Sequence, residues 1–380
     1  MTSDVLLNAY IDLNILLLAG TLLWLGARKI LARGRLGRAY RPQLKLLNRM
    51  TVFLAAAPAL MLALTTFFGA PGPNFSDLMV AQYLQGNVRM SAGEFESLLR
   101  LREETVRGLL SLQPAWAQGV VAALAAGALI CLGQGALSAF RLGRSLRGAY
   151  TWKRIGRVRL MFSDTTAVAY STRGLRLRYV VLPSALAGDA RDLRLTVAHE
   201  LQHFRQHDIE CEVLLEALRP LLFWNPAYHL WRREVRLLRE FACDQALMAR
   251  PQVDVRAYCE CLIRACALAA GERPLFARRS PAVALVERRE TRRGAALQQR
   301  IIAVTARQPQ VQGTAGWALV SVAMASLVLG TAMLLQKPGD WSHDRIMLST
   351  IVNLERMASR PSNPELAISA LNGGFAVPRP

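Results

Sequence analysis

Four stretches of this chain are nearly or wholly free of charge and long enough to cross a hydrocarbon core, which takes about 20 apolar residues. They are Leu6–Ala27, Met50–Phe68, Trp116–Ser138 and Gly316–Gln336. They resolve what otherwise looks contradictory, a chain that is 52% apolar and yet carries a formal charge of +20. The charge lies between the stretches, not in them. Asp12 and Asn14 interrupt the first stretch, and Asn8 and Asp12 are expected in the outer headgroup region. That stretch has Asp4 where a signal peptide has basic residues, and it runs into Arg28-Lys29 with no small-residue cleavage pattern, so it reads as an anchor.

Lysine and arginine placement orients the spans. Residues 28–49 hold eight basic residues and no acid, and 140–312 hold 30 basic and 16 acidic residues. The 69–115 loop has four basic and five acidic residues, and the 337–380 tail has five and four. The basic segments are therefore expected on the cytoplasmic side and both termini outside, in agreement with an even number of spans, which requires the two ends to share a side. This places the protein in a bacterial-type inner membrane as a multi-pass chain. A pI near 10.8 also fits nucleic-acid binding. The basic residues instead flank spans, with no base-reading module among them, so anionic lipid is the expected partner and direct nucleic-acid contact is not. All six cysteines lie in the third span or the following segment, the reverse of a secreted disulfide framework. Cys259, Cys261 and Cys266 match no common zinc spacing and read as buried helix cysteines.

The segment after the third span carries the chemistry. His199-Glu200-Leu201-Gln202-His203 places two histidines four residues apart, on one face of a helix, with a carboxylate beside them. Such a pair suits one Zn2+ ion, with Glu200 as the catalytic base for a water. The helix is expected from Asp192 to about His207, with Asp189 or Asp192 near its start. Asn225-Pro226 is a helix-start signature, and the helix it opens, about Pro226 to Ala249, presents Glu240 and Asp244 on one face. Catalytic zinc takes three protein ligands. His199 and His203 supply two and Glu240 is the choice for the third, with Asp244 placed to orient a ligand histidine. Glu234 competes as third ligand but falls on another face. His207 lies one turn beyond His203; a fourth-ligand role and a surface role both stand, the surface role preferred. His229 reads as packing or polar support.

Val158–Phe162 and Arg176–Leu182 read as strands, and Arg176–Leu182 is the candidate edge strand along which an extended peptide would add beside the metal helix. Ser91–Leu112 in the 69–115 loop reads as an amphipathic helix. The arginine pairs at 278–279, 288–289 and 292–293 in the linker read as solvated or lipid-facing, with self-cleavage sites as the alternative.

The run His199 to Asp208, then Trp224-Asn225-Pro226, then Glu240-Phe241-Ala242-Cys243-Asp244 resembles the M56 family, integral membrane metallopeptidases of the β-lactam-sensor (BlaR/MecR) type. The related M48 peptidases of the CAAX-protease type share the HExxH and Glu-x-x-x-Asp logic, but the cysteine before Asp244 favours M56. The resemblance implies His199, His203 and Glu240 as ligands of one zinc per chain, Glu200 as acid/base, and Asp208 and Asp244 in supporting positions. The architecture so read is a mainly α membrane protein. Residues 1–138 hold three spans (about 6–27, 50–68 and 116–138), a basic cytoplasmic loop 28–49 and the extracytoplasmic loop 69–115. Residues 139–315 form a cytoplasmic α+β, gluzincin-like zinc metallopeptidase domain with an arginine-rich linker. Residues 316–336 are the fourth span and 337–380 a short extracytoplasmic tail. No serine of that tail has a lysine three positions later, so covalent β-lactam sensing is not expected. A second departure is upstream, where Ser171-Thr172-Arg173 lacks the proline the family often has before its second strand. The resemblance further implies a cytoplasmic protein substrate, a transcriptional repressor or the chain itself, cut in response to an envelope signal. The oligomeric state stays open. A membrane quality-control or CAAX-type protease and a non-catalytic transducer that keeps the zinc fold are the alternatives.

Overall fold

The structure is a computed structural model that describes residues 2–68, 75–174, 176–271, 282–284, 295–306, 314–335 and 347–354. It is mostly helical, with one small mixed sheet. Helices α1 (Thr2–Leu31), α2 (Tyr40–Phe68), α3 (Phe75–Leu84), α4 (Ala92–Ser111) and α5 (Ala115–Arg147) precede strands β1 (Tyr150–Ile155), β2 (Val158–Ser163), β3 (Tyr170–Arg173) and β4 (Arg178–Pro183). Then come α6 (Ala190–Gln206), α7 (Asp208–Leu222), α8 (Pro226–Met248), α9 (Val255–Gly271), β5 (Ala282–Ala284), α10 (Ala295–Thr305) and α11 (Thr314–Leu334).

Among the described residues, three helical segments are long and apolar enough to cross a membrane: Asp4–Leu31, Ala115–Arg147 and Gly316–Leu334. They coincide with the first, third and fourth expected stretches. The expected second stretch is helical within α2, but the side chains of 61–62 and 64–68 fall outside the description, so α2 remains a candidate on its sequence. Helix α5 leaves Leu129, Ile130, Leu132, Leu137 and Phe140 exposed, a continuous apolar surface that suits lipid.

Helices α1 and α2 pack on α8, α2 also touches α7, and α11 packs on α1 and α2. Leu16 and Trp24 of α1, Leu47 and Leu54 of α2, Tyr228, Trp231 and Val235 of α8, and Met324 and Val328 of α11 share one core. Polar side chains fix the register. Asn225 accepts from the Ala227 amide at 2.9 Å to cap α8 and donates to Asn14 Oδ1 at 2.9 Å. Asn14, the polar interruption of the first apolar stretch, is thus buried against the helix start. Trp231 Nε1 donates to Thr51 Oγ1 at 2.9 Å.

Helix α4 is the expected amphipathic helix, closed at its start by reciprocal capping of Ser91 and Glu94. With α3 and residues 347–354 it encloses Val80, Phe95, Leu348 and Val352. From α4, Arg102 reaches Asp12 at 2.7 Å, Asn8 at 3.0 Å and the Leu335 carbonyl at 2.8 Å. Asp12 is therefore ion-paired.

The sheet order is β1-β2-β4-β3-β5, with β2 and β4 parallel and the other pairs antiparallel. Leu193, Val197 and Leu201 of α6 recur at helical spacing and pack on Leu160, Phe162, Val180 and Leu182 of the sheet. The opposite face of α6 is left for α8 and α9, and that face carries the histidines. The sheet corrects one expectation. Strand β4 lies between β2 and β3, so Arg176–Leu182 is not an edge. The short strand β3 covers it, through the Ser171-Thr172-Arg173 segment that departs from the family pattern. The arginine pairs at 278–279, 288–289 and 292–293 lie outside the described residues.

Candidate metal centre

Helix α6 starts where Asp189 accepts hydrogen bonds from the Arg191 and Asp192 amides at 2.9 and 3.1 Å. It ends at His207, which takes a left-handed conformation (φ 60°) that any non-glycine residue adopts only at some cost. That turn reverses the chain so that Asp208, the first residue of α7, folds back beneath the helix it has just left. His207 itself is exposed. His229 bonds the Phe223 carbonyl at 2.7 Å, as a polar support.

His199 and His203 are fully buried with their rings nearly perpendicular, centroids 4.9 Å apart. In each, Nδ1 is engaged: His203 with Asp208 Oδ2 at 2.8 Å, and His199 with the Tyr258 hydroxyl at 2.9 Å. Tyr258 in turn donates to Asp244 Oδ1 at 2.6 Å, so its oxygen accepts from His199 Nδ1–H. Both imidazoles therefore present an Nε2 lone pair, and neither Nε2 has a hydrogen-bond partner among the described residues. Asp208 sets one tautomer directly. Asp244, expected to do so for His199, acts through Tyr258, since its own oxygen is 3.5 Å from His199 Nδ1.

Glu240 of α8 faces the two free nitrogens, its oxygens 3.5 Å from His199 Nε2 and 3.9 Å from His203 Nε2. Ligands of one tetrahedral ion with bonds of about 2.0–2.1 Å lie about 3.3 Å apart. The gaps are close to that spacing, and Glu240 Oε2 is also without a hydrogen bond. Two neutral nitrogens and a carboxylate, buried and unpartnered at this spacing, fit a divalent cation. Glu234, the competing ligand, is turned to the other side of α8, where it pairs with Arg28 and accepts from Trp24 Nε1 at 3.3 Å.

Cys243 complicates the donor set. Among the described residues, His199, His203 and Cys243 offer ligand atoms within 4.8 Å of one another. Its sulfur, however, is 3.1 Å from His203 Nδ1, the nitrogen already bonded to Asp208. A metal held there would have to displace that hydrogen bond. Burial and the surrounding carboxylates Asp208, Glu240, Asp244 and Glu200 also hold the thiol pKa well above its ordinary value. We assign the third position to Glu240 on this geometry.

Glu200 lies beside the donors, fully buried. Ser171 of β3 donates to its Oε2 at 2.7 Å, while Oε1 has no partner among the described residues. Burial raises this carboxyl to about 8, partly offset by the Ser171 hydrogen bond. Burial lowers His199 to about 4, which keeps its ring neutral as a ligand must be. Burial also raises Glu240, against the opposing charge of Arg300. Asp244 is held low, because Arg300 outweighs the cost of burial.

Sequence reasoning missed Ser171, Tyr258 and Arg300. Arg300 lies in the arginine-rich linker, where no role was read for it from the sequence, and it is 3% exposed. Its guanidinium holds both oxygens of Asp244 at 2.8 Å and lies 3.1 Å from Glu240.

The edge beside this centre is β3, and it is occupied. Ala282–Ala284 lies antiparallel along it, with Ser171 opposite Val283. The residue that holds Glu200 thus also pairs with a peptide segment of the same chain.

Residues 109–291 match the family model for BlaR1 peptidase M56. No curated protein matches the chain. The match bears out the resemblance drawn from the motifs, and the three apolar helices are consistent with an integral membrane protein of that family.

Proposed function

From an M56 peptidase region set in a membrane protein, we propose a zinc endopeptidase that cuts peptide bonds at the cytoplasmic face and transduces an envelope signal. One observation carries the chemistry: the unpartnered Nε2 atoms of His199 and His203 converge on Glu240, with the unpartnered Oε1 of Glu200 alongside. His199, His203 and Glu240 would hold one zinc ion, with Asp208, Tyr258 and Asp244 fixing the two rings. When bound, zinc supplies Lewis acidity to the scissile carbonyl and to the attacking water. Glu200 takes the proton of that water at Oε1 and delivers it to the leaving amine. Ser171 keeps the carboxylate turned toward the reacting atoms while its second oxygen stays available.

The substrate is an extended peptide added to β3, held by backbone hydrogen bonds that tolerate many sequences. The pairing of Ala282–Ala284 with β3 supports a cut in the chain itself as one outcome. A cytoplasmic repressor would compete for the same edge. In the four-span topology read from the charge distribution, with basic segments inside and both termini outside, this edge would be within reach of such a protein.

The test compares cells carrying the wild-type chain with cells carrying Glu200→Ala. Loss of a general acid–base costs about 10²–10⁴ in rate. Fragments of a cytoplasmic protein, or of this chain cut close to residue 283, should appear only with wild type. A stable Glu200→Ala protein that yields the same fragments and transmits the signal overturns the reading.

A further inference from the structure

The matched peptidase region ends at residue 291, yet the centre is not complete there. Helix α10, in the linker to the last apolar helix, sends Arg300 into it. Val304 and Leu297 of the same helix pack with Leu247, Tyr258 and Leu262, so α10 is seated on both α8 and α9. Burying a guanidinium is costly unless its charge and donors are satisfied. Arg300 meets that cost with two carboxylates of α8. Nε and Nη2 hold Asp244 as a fork at 2.8 Å each, and Nη1 lies 3.1 Å from Glu240 Oε2. The second contact is an ion pair without a hydrogen bond, because Oε2 is among the atoms that have none. Arg300 therefore steers the Glu240 carboxylate and leaves its lone pair for another partner.

We infer that Arg300 is a positioning residue for the zinc site, holding Glu240 directly and His199 through Asp244 and Tyr258. The inference rests on the zinc-peptidase reading and adds that the Arg300 guanidinium, and not the packing of α10 as such, holds these donors in place. One cation thereby controls two of the three donors. Without it, Asp244 and Glu240 would be neighbouring carboxylates one helical turn apart, with Arg239 left as the arginine acting on Glu240. Asp244 would then no longer fix the Tyr258 hydroxyl that sets the His199 tautomer. A lysine would keep the charge but lose the two-pronged hold on Asp244.

The test uses the full chain purified in detergent, with Zn2+ as the probe and a competing chelator to measure affinity. Arg300→Gln should bind zinc about 10–100-fold more weakly, the usual cost of removing a group that orients ligands. Arg300→Lys should fall between Arg300→Gln and wild type. Val304→Ala, which loosens α10 packing without touching a carboxylate, should keep wild-type zinc affinity. Cobalt substitution should show altered ligand-field absorption in Arg300→Gln and not in Val304→Ala. A folded Arg300→Gln with wild-type zinc affinity overturns the inference. Equal losses in Val304→Ala and Arg300→Lys also overturn it, by assigning the effect to helix docking. If Arg300→Gln does not accumulate, Arg300→Lys decides: weaker zinc binding at an unchanged metal-free unfolding midpoint supports the inference, and unchanged binding overturns it. Failure of the underlying reading looks different, since wild type itself would then bind no zinc or would keep it after His203→Asn.

Discussion

Helix α8 is lined by two buried clusters of carboxylates and arginines, and they differ in one respect. Around Glu212 of α7, Arg232, Arg236 and Arg239 approach at 2.6, 2.7 and 3.0 Å, so both carboxylate oxygens have partners. Around Glu240, Arg300 satisfies Asp244 in full, while Glu240 Oε2 and two imidazole nitrogens keep unused lone pairs. The first cluster joins α7 to α8, and its unpartnered atoms, Arg232 Nε and Arg239 Nε, are cationic donors that cannot hold a metal ion. The second also pairs carboxylates with an arginine, its Glu240 side chain is 13% exposed, and it holds three atoms without hydrogen-bond partners that face one another. Buried charge alone does not mark a functional site; buried charge with convergent unsatisfied atoms does.

The widest separation between the clusters should come from removing each carboxylate in turn. Glu240→Gln should abolish zinc retention and proteolysis while leaving the metal-free unfolding midpoint close to wild type. Glu212→Ala strands the guanidinium of Arg239, 3% exposed, and should destabilise by about 3–5 kcal/mol. Metal analysis and thermal unfolding of both proteins check the pair. A Glu212→Ala protein of normal stability, or a Glu240→Gln protein that holds zinc, removes the distinction.

Acid should probe the first cluster more gently. Burial opposes ionisation of Glu212, but Arg236, Arg239 and Arg232 outweigh it and hold the carboxyl well below its ordinary value of 4.5. A carboxylate depressed in the folded state contributes stability that is fully present above the unfolded value and is lost as pH falls through the folded one. Wild type should therefore lose stability below about pH 4.5 faster than Glu212→Gln, whose site cannot titrate. The two curves should run parallel above that pH. Parallel curves throughout would show that the arginines do not hold the charge.

The same contrast explains what was legible in the sequence. His199, Glu200 and His203 are readable because one helix face dictates their spacing, and Glu240 with Asp244 because a capped helix delivers both on one side. Asp208 lies only five residues from His203, although the left-handed turn at His207 that brings it back is not a pattern of residue types. Tyr258, Ser171 and Arg300 come from three other elements: Ser171 is 29 residues from Glu200, Tyr258 is 59 from His199 and 14 from Asp244, and Arg300 is 56 from Asp244. Nothing in a local window separates them from ordinary tyrosines, serines and arginines. The sheet failed for a related reason. Strand β3 has four residues, too few for an alternating pattern, so β4 looked like an edge although it is covered on both sides.

The smallest expected effect is also the sharpest check on which atoms form the centre. Cys243 lies closer to His203 than Glu240 does, 3.1 Å against 3.9 Å, and proximity alone would make it the third ligand. Chemistry argues otherwise, because the sulfur sits against Nδ1, whose proton is committed to Asp208 at 2.8 Å. Coordination by sulfur would break the contact that turns the Nε2 lone pair inward, and it would need a thiolate among carboxylates that oppose one. Cys243→Ser conserves the shape and a polar hydrogen. It should change zinc affinity by less than about threefold, within the roughly 1 kcal/mol expected for a weak buried contact. The cobalt-substituted wild type should lack a thiolate-to-metal charge-transfer band. If that band is present and vanishes in Cys243→Ser along with the metal, then Cys243 and not Glu240 completes the site, and the unsatisfied Oε2 of Glu240 belongs to Arg300 instead.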